Sequence, residues 1–286
     1  MVNQRGEVVA LGSNRDGGLA LARPQPVGSL AKIAAALALG PTDQPSTRYC
    51  RGPGCEALHI FARSLARPLE HRLSRVPEAS LSRAFAALGW HVPPGEAARR
   101  HAVYGGLEES AATVLRAVTA VTDNLAHKPQ TVSLPHVVHS VKLRDGKLRD
   151  GRTMTPQLPS LPAEPLARAL VEPTRSFAIR VLEAPIKERA GTAHRLAAVL
   201  DRPDIGLRWA KTGTANADGG ENLTRTSWVA GGFVHRAQPF AFLVLVTAPS
   251  NRVPLGHVEA RDVAVPLAAA LLSASLDRLA AKVTDR

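Results

Sequence analysis

A chain of 286 residues is long enough for one large domain or two small ones, and a hydrophobic fraction of 45% allows a sizeable core. The formal net charge of +12 does not indicate a nucleic-acid partner, because the basic residues are scattered and form neither a block nor a stripe interleaved with aromatics. The longest apolar runs, Ile33 to Leu39 and Phe240 to Val246, are far shorter than the roughly 20 residues of a membrane span, and no targeting segment or anchor is visible in the opening residues.

The first part of the chain changes from strand patterns to a helical pattern. An apolar run follows the break at Pro26-Val27-Gly28 and predicts a buried helix over residues 29–39, with Ser29 at its N-terminus. The elements predicted before that break are a strand over residues 7–11, a Gly-rich turn over 12–18 and a strand over 19–22.

The middle of the chain is dominated by helical periodicity. Pro77 and the stretch 92–95 interrupt this periodicity, and residues 128–165 are rich in Pro, Gly and polar residues, which indicates an irregular connection. The predicted elements here are helical structure over 57–123 that includes a helix over 109–121, short strands such as 137–143, and helices over 166–182 and 193–199.

The last third returns to strand patterns. Residues 228–234 and 240–247 predict a β-hairpin around residues 235–239, and an Ala/Leu-rich run from about 260 to 281 predicts a final helix. Strands at both ends with helices between them predict an α+β fold, in which an antiparallel sheet is built from both chain termini and a helical lobe is inserted.

The only two cysteines, Cys50 and Cys55, enclose Arg-Gly-Pro-Gly. The Gly and Pro would let the chain turn back, so a small disulfide loop is feasible in an oxidising compartment, and two free thiols are the alternative. No second pair of Cys or His stands at ligand spacing, so we expect neither a metal site nor a cofactor.

Ser29 and Lys32 are separated by one helical turn. Residues three apart on a helix lie on nearly the same face, so the hydroxyl and the amine can come within hydrogen-bonding reach. A neighbouring amine activates a serine hydroxyl when burial or a nearby positive charge keeps that amine partly neutral, and Lys211 is a candidate for that charge. Alone, a Ser-x-x-Lys spacing recurs by chance on many helices.

Lys211-Thr212-Gly213-Thr214 follows a short apolar run. On an edge strand these residues supply a cation, two hydroxyls and a Gly that leaves space along the strand. This arrangement suits a peptide laid antiparallel to the strand with its terminal carboxylate near the hydroxyls. The alternative is a Gly-containing turn with a solvated lysine.

Together the two motifs resemble the signature of penicillin-binding proteins and serine β-lactamases. The approach Pro26-Val27-Gly28-Ser29 and the phrase Trp228-Val229-Ala230-Gly231-Gly232-Phe233 are also similar to transpeptidase domains of penicillin-binding proteins. The resemblance runs from about Gly6 to Leu271. It implies one transpeptidase-like domain over residues 1–286, with an α/β lobe formed by 1–28 and about 165–286 and a mainly helical lobe over about 29–164.

The third element of the family signature, Ser-x-Asn, is incomplete in this chain. Ser64 stands at the corresponding place, but Ala66 stands where the Asn should be. A rival placement, Ser80-Leu81-Ser82, also lacks the Asn. Losing the amide's hydrogen bond in a closed site costs on the order of 1–3 kcal/mol, so the sequence predicts acylation more firmly than efficient turnover.

The resemblance implies a D,D-transpeptidase or D-alanyl-D-alanine carboxypeptidase that acts on peptidoglycan stem peptides at the extracytoplasmic face of the inner membrane or in the periplasm. Partners would be the stem peptide, β-lactams bound covalently at the serine, and cell-wall synthesis proteins. The roles implied for individual residues are Ser29 as nucleophile, Lys32 as base, Ser64 as proton relay, Lys211 as neighbouring cation, Thr212, Gly213 and Thr214 as substrate-binding residues, and the backbone N–H groups of Ser29 and Thr214 as oxyanion hole.

Two other functions are compatible with this fold. A weak β-lactamase lacks an evident deacylating base, because the stretch Tyr104 to Glu109 carries acids without the Glu-x-x-Leu-Asn of class A enzymes. A degenerate, non-catalytic module that binds peptidoglycan or partner proteins is supported by Ala66.

Overall fold

The computed structural model describes residues 2–3, 22–40, 56–93, 95–128, 140–142, 148–150, 161–217, 224–249 and 259–284. Residues 7–21 of the strand, turn and strand predicted over 7–22 lie outside the described residues, as do both cysteines.

The strands of the described ranges form one larger sheet and two small two-stranded ones. Their bounds are β1 (Val2–Asn3), β2 (Pro24–Pro26), β3 (Glu108–Ser110), β4 (Ser140–Lys142), β5 (Leu148–Asp150), β6 (Ile205–Ala217), β7 (Thr224–His235) and β8 (Gln238–Pro249).

The helices of the described ranges lie mostly between β2 and β6. Their bounds are α1 (Lys32–Ala38), α2 (Ala57–Ala62), α3 (Ala66–Leu73), α4 (Glu78–Ala87), α5 (Ala98–Tyr104), α6 (Ala111–Leu125), α7 (Ala163–Ala169), α8 (Thr174–Lys187), α9 (Ala197–Leu200) and α10 (Ala264–Thr284). Single 3₁₀ turns at Gly28–Ala31 and His194–Leu196 precede α1 and α9.

The larger sheet has the strand order β1-β8-β7-β6, and every pair in it is antiparallel. Val2 pairs with Ala241, so the sheet joins residues from both ends of the chain. The predicted α+β fold with an antiparallel sheet from both termini and intervening helices is confirmed. Strand β6 lies at the edge of the described sheet, as we expected for the strand that carries Lys211.

Two helices cover the two faces of this sheet. Side chains alternate along β7, so Trp228 and Ala230 join the buried cluster that contains the valines of α6, whereas Val229 and Phe233 join the cluster that contains α10. Helix α6 packs against β7 through this cluster, and every residue of α6 is buried. The sheet is thus the middle layer of three, and β6, which carries Lys211, is at its edge among the described strands.

Several boundaries differ from the predicted ones. The hairpin between β7 and β8 is tighter than predicted, because Arg236 and Ala237 both adopt left-handed backbone angles, with φ of +48° and +64°. The predicted helix over 166–182 is two helices, because α7 ends at Ala169 and α8 begins at Thr174. Pro173 stands at the N-cap of α8, where proline is tolerated, whereas inside one continuous helix it would remove a backbone hydrogen bond.

Candidate active site

Ser29 lies in the 3₁₀ turn that leads directly into α1. Strand β2 immediately precedes this turn and pairs with β3. The Val27 N–H donates to the Leu107 carbonyl at 2.9 Å. The Pro26 carbonyl accepts hydrogen bonds from Trp228 Nε1 at 2.8 Å and from Thr226 Oγ1 at 3.0 Å. The turn that carries the half-buried Ser29 is therefore tied to β7.

Two glycines allow the edge strand to approach this turn. Gly28 has a φ of +53°, and a Cβ there would lie 2.5 Å from the Thr214 carbonyl oxygen. A Cβ on Gly213 would lie 2.5 Å from the Val27 carbonyl oxygen. Since any side chain would push the backbones apart, the two glycines permit the contact that places Ser29 beside the end of the Lys211–Thr214 segment.

Lys32 is the first residue of α1, and its ammonium is directed back at Ser29. Lys32 Nζ donates to Ser29 Oγ at 2.8 Å, as the spacing of the two residues predicted. The Lys32 side chain is only 2% exposed, and burial lowers the pKa of its ammonium from 10.5 to about 8. A substantial fraction of Lys32 can therefore be neutral in mildly alkaline solution and able to accept the serine proton.

Lys211 approaches the same point from β6. Its Nζ donates to Ser64 Oγ at 2.8 Å and to the Thr212 carbonyl at 2.9 Å. The side chain is fully buried, and burial together with the charge of Lys32 lowers the pKa of Lys211 well below its ordinary value. The expected neighbourhood of the two lysines is present, although burial rather than Lys211 is what lowers the pKa of Lys32.

Ser64 connects the two lysines. Its hydroxyl accepts a hydrogen bond from Lys211 and a longer one, at 3.3 Å, from Lys32, which also donates to the Ser64 carbonyl at 3.1 Å. The four side chains Ser29, Lys32, Ser64 and Lys211 thus form one continuous chain of hydrogen bonds. A serine oxygen with both acceptor positions occupied keeps its own O–H free to donate outward.

A strained helix end holds Ser64 in place. Helix α2 ends with the Ser64 N–H bonded to the Phe61 carbonyl and the Leu65 N–H bonded to the Ile60 carbonyl, which is a Schellman motif. Ser64 occupies the left-handed position of this motif, with a φ of +56°, where glycine is usual. This conformation costs a serine on the order of 1–2 kcal/mol, and such strain often marks functional positions.

The structure separates the two placements of the incomplete Ser-x-Asn. Ser80 and Ser82 lie on α4, where Ser80 accepts a hydrogen bond from Arg83 at the surface. Only Ser64 contacts the lysines among these three serines. Ala66 is the first residue of α3, so a methyl group stands where the resemblance implies an amide.

The hydroxyls predicted to bind a substrate carboxylate have partners within the protein. Thr212 Oγ1 donates to Thr192 Oγ1 at 2.8 Å, and Thr214 Oγ1 donates to Glu259 Oε2 at 3.4 Å. Glu259 also forms an ion pair with Arg225 at 2.8 Å.

Sequence reasoning missed these three partners, which are Thr192, Arg225 and Glu259. None of them belongs to a motif that the residue pattern marks. Only the pairing of β6 with β7 brings Arg225 near Thr214, and only the fold brings Thr192 and Glu259 to the same strand.

The arrangement has the parts of a serine acylation centre. It contains a hydroxyl bonded to a buried amine of lowered pKa, a second hydroxyl that bridges to another buried lysine, and a strand at the edge of the described sheet, the kind of strand that an extended peptide can join. Within the described ranges, no group of three or more His, Cys, Asp or Glu side chains is placed to hold a metal ion.

No model of a known protein family matches the sequence, and no curated protein matches it either. Solved structures do match. A peptidoglycan synthetase from Bifidobacterium adolescentis is 12% identical with a TM-score of 0.57 over 97% of this chain. The complex between penicillin-binding protein PBP2 and MreC from Helicobacter pylori contains a match that is 12% identical, with a TM-score of 0.56 over 91% of this chain.

A third match is the D,D-transpeptidase domain of a peptidoglycan glycosyltransferase from Eggerthella lenta, 16% identical with a TM-score of 0.51 over 93% of this chain. The chain has the fold of a penicillin-binding protein transpeptidase domain. This transpeptidase-like chain covers 56% of the Bifidobacterium chain, 51% of the Helicobacter chain and 67% of the Eggerthella chain. Among the described helices of this fold, none is both long and apolar enough to cross a membrane.

Proposed function

We propose that the protein is a serine acyltransferase of the D,D-transpeptidase type, which forms an acyl-enzyme on Ser29 with D-alanyl-D-alanine stem peptides and is bound covalently there by β-lactams. The observation that carries the proposal is the continuous hydrogen-bond chain Ser29–Lys32–Ser64–Lys211. The transpeptidase fold supports it.

Acylation would proceed as follows. Ser29 Oγ attacks the carbonyl carbon of the penultimate D-alanine, and its proton passes to neutral Lys32. The backbone N–H groups of Ser29 and Thr214 stabilise the oxyanion that develops on the carbonyl oxygen. The bond to the terminal D-alanine then breaks, and its nitrogen takes a proton from Ser64, which is recharged from the neighbouring lysines.

The edge strand would hold the substrate. A stem peptide laid antiparallel to β6 makes backbone hydrogen bonds with it, and Thr212 and Thr214 face the terminal carboxylate. An amine of a second stem peptide or a water molecule then attacks the acyl carbon and releases Ser29, giving cross-linking or carboxypeptidase activity.

The cellular setting follows from the same proposal. A peptidoglycan substrate places the domain on the extracytoplasmic face of the inner membrane or in the periplasm. Because one structural neighbour is a complex of a penicillin-binding protein with MreC, we propose cell-wall synthesis proteins as partners.

Covalent labelling tests this function directly. We expect incubation with a fluorescent penicillin to add the mass of one β-lactam to the intact protein, and we expect Ser29→Ala to abolish the adduct. Ser80→Ala is the matched control, because it removes an equally small hydroxyl from a surface helix and should label as the parent protein does.

Two results would contradict the proposal. An adduct that persists in Ser29→Ala would exclude Ser29 as the nucleophile. No adduct at high ligand excess would favour the second candidate, a non-catalytic module that binds peptidoglycan or partner proteins. The observation in its favour is Ala66, which removes the amide expected beside the site.

A further inference from the structure

Glu259 places a carboxylate at one of the hydroxyls assigned to the substrate. Its Oε2 atom accepts a hydrogen bond from Thr214 Oγ1, and its Oε1 atom accepts one from the Arg225 guanidinium. The terminal carboxylate of a stem peptide would need the same two kinds of donor.

The two donors are held more firmly than the acceptor. Thr214 and Arg225 lie on the same face of the sheet, since Thr214 pairs with Ser227 and Asn216 pairs with Arg225. The Thr214 hydroxyl also accepts a hydrogen bond from the Ala260 N–H at 3.1 Å. The Arg225 side chain is 14% exposed, whereas that of Glu259 is 41% exposed.

This difference in exposure makes exchange feasible. Breaking the ion pair of a largely buried guanidinium costs free energy unless another anion takes the place of the carboxylate. Glu259 can turn into solvent at little cost because its side chain is already half exposed. An arriving substrate carboxylate would restore the charge balance of Arg225 as Glu259 leaves.

We propose that Glu259 is a displaceable internal carboxylate that competes with the substrate's terminal carboxylate for Thr214 and Arg225. The inference rests on the proposed function, because it concerns the same substrate site. Glu259 then sets specificity: a ligand that ends in a carboxylate binds only by exchange, whereas a ligand that ends in a neutral amide does not compete for the charge of Arg225.

The test removes catalysis so that only binding is measured. In the Ser29→Ala background, NMR titration compares N-acetyl-D-alanyl-D-alanine with its C-terminal amide. We expect Glu259→Gln to tighten binding of the carboxylate form by about tenfold and to change binding of the amide by less than about twofold. Asp262→Asn is the matched control, because it removes the same charge from the same turn while its carboxylate contacts Arg261.

Any other pattern of binding overturns the inference. Unchanged affinity for the carboxylate form in Glu259→Gln, an equal gain for both ligands, or an equal gain in Asp262→Asn would show that Glu259 does not compete at this place. Failure of every variant to bind the carboxylate form would show that Thr214 and Arg225 form no carboxylate site. If the parent protein, which has Ser29, failed to label with penicillin while Glu259→Gln still tightened binding of the carboxylate form alone, only the proposed function would be overturned.

Discussion

The helical side and the sheet side of the site hold their functional groups by different means. On the sheet side, Lys211 to Thr214 lie inside a 13-residue strand whose pairing with β7 is continuous from Arg208 to Ala217. On the helical side, Ser64 follows a six-residue helix and depends on one left-handed backbone position. The register between β6 and β7 positions the side chains on the sheet side. The hydrogen bonds of the Schellman motif, with Ser64 in a strained backbone conformation, position the group on the helical side.

The helical side is also where the chain departs from the signature of penicillin-binding proteins. The strand carries Lys-Thr-Gly-Thr, and the alternation of the sheet and the close approach of the Ser29 turn position its residues. The loop beside α2 keeps Ser64 and has Ala66 in place of Asn. The proposed function therefore depends most on the helical side, and the following predictions test that dependence from the largest expected effect to the smallest.

Two substitutions separate the proposed role of Ser64 as proton relay from the cost of its left-handed backbone conformation. Ser64→Ala and Ser64→Gly should both lower the rate of acylation by penicillin by about 10²–10⁴, because both remove the relay hydroxyl. Ser64→Gly should be more stable than Ser64→Ala by about 1 kcal/mol, because only glycine adopts the φ of +56° without strain. Rapid-quench labelling measures the rate, and urea unfolding measures the stability.

A structural role for Ser64 would give a different pattern. If Ser64 only shaped the loop, Ser64→Gly would acylate at nearly the parental rate. Equal stability of the two variants would contradict the strained conformation.

The pKa of Lys32 predicts the pH profile of acylation. Lys32 can accept the Ser29 proton only when it is neutral, so the rate should rise as pH rises towards the lowered pKa of about 8 and level off above it. Well below that pKa the rise should be about tenfold per pH unit, and between pH 6 and pH 8 it should be about 50-fold, because half of Lys32 is neutral at a pH equal to its pKa.

Stopped-flow acylation with a chromogenic cephalosporin over this range measures the profile, with circular dichroism at each pH as the control for folding. A rate that is flat from pH 6 to pH 9 would contradict the assignment of Lys32 as base.

Restoring the missing amide should sharpen the helical side. Ala66→Asn should raise the acylation rate on the order of tenfold, because a hydrogen bond regained in a closed site is worth roughly 1–3 kcal/mol. Ala66→Leu is the matched control, since leucine has the same number of side-chain heavy atoms and the same branching at Cγ as asparagine, and no amide. The same gain in both variants would show that volume rather than hydrogen bonding is responsible.

The core of the site was predictable from local spacing. Ser29 and Lys32 are one helical turn apart, so their contact depends on a short-range rule that holds even though the residues span a 3₁₀ turn and the start of α1. The strands that became β7 and β8 were predictable because their apolar runs are long and bounded by polar residues.

The remaining features depend on contacts that no local pattern records. The helical stretch after residue 57 breaks at Arg63, where neither Gly nor Pro marks the end of α2. Arg225 and Glu259 reach Thr214 only through strand pairing and the turn before α10. Long-range packing decides such features, whereas periodicity reports only which face of an element is apolar.

The bonds to the Pro26 carbonyl also bear on how the protein folds. Trp228 and Pro26 are 202 positions apart in the chain, and the partners of the Thr226 bond are 200 apart. Contacts of such sequence separation form late, because the entropy of closing the intervening loop must be overcome first. During synthesis, the turn around Ser29 emerges long before β7 exists to anchor it. Ser29 therefore gains its anchored geometry only after β7 has been made, and a chain that stops short of β7 would carry the serine without this anchor.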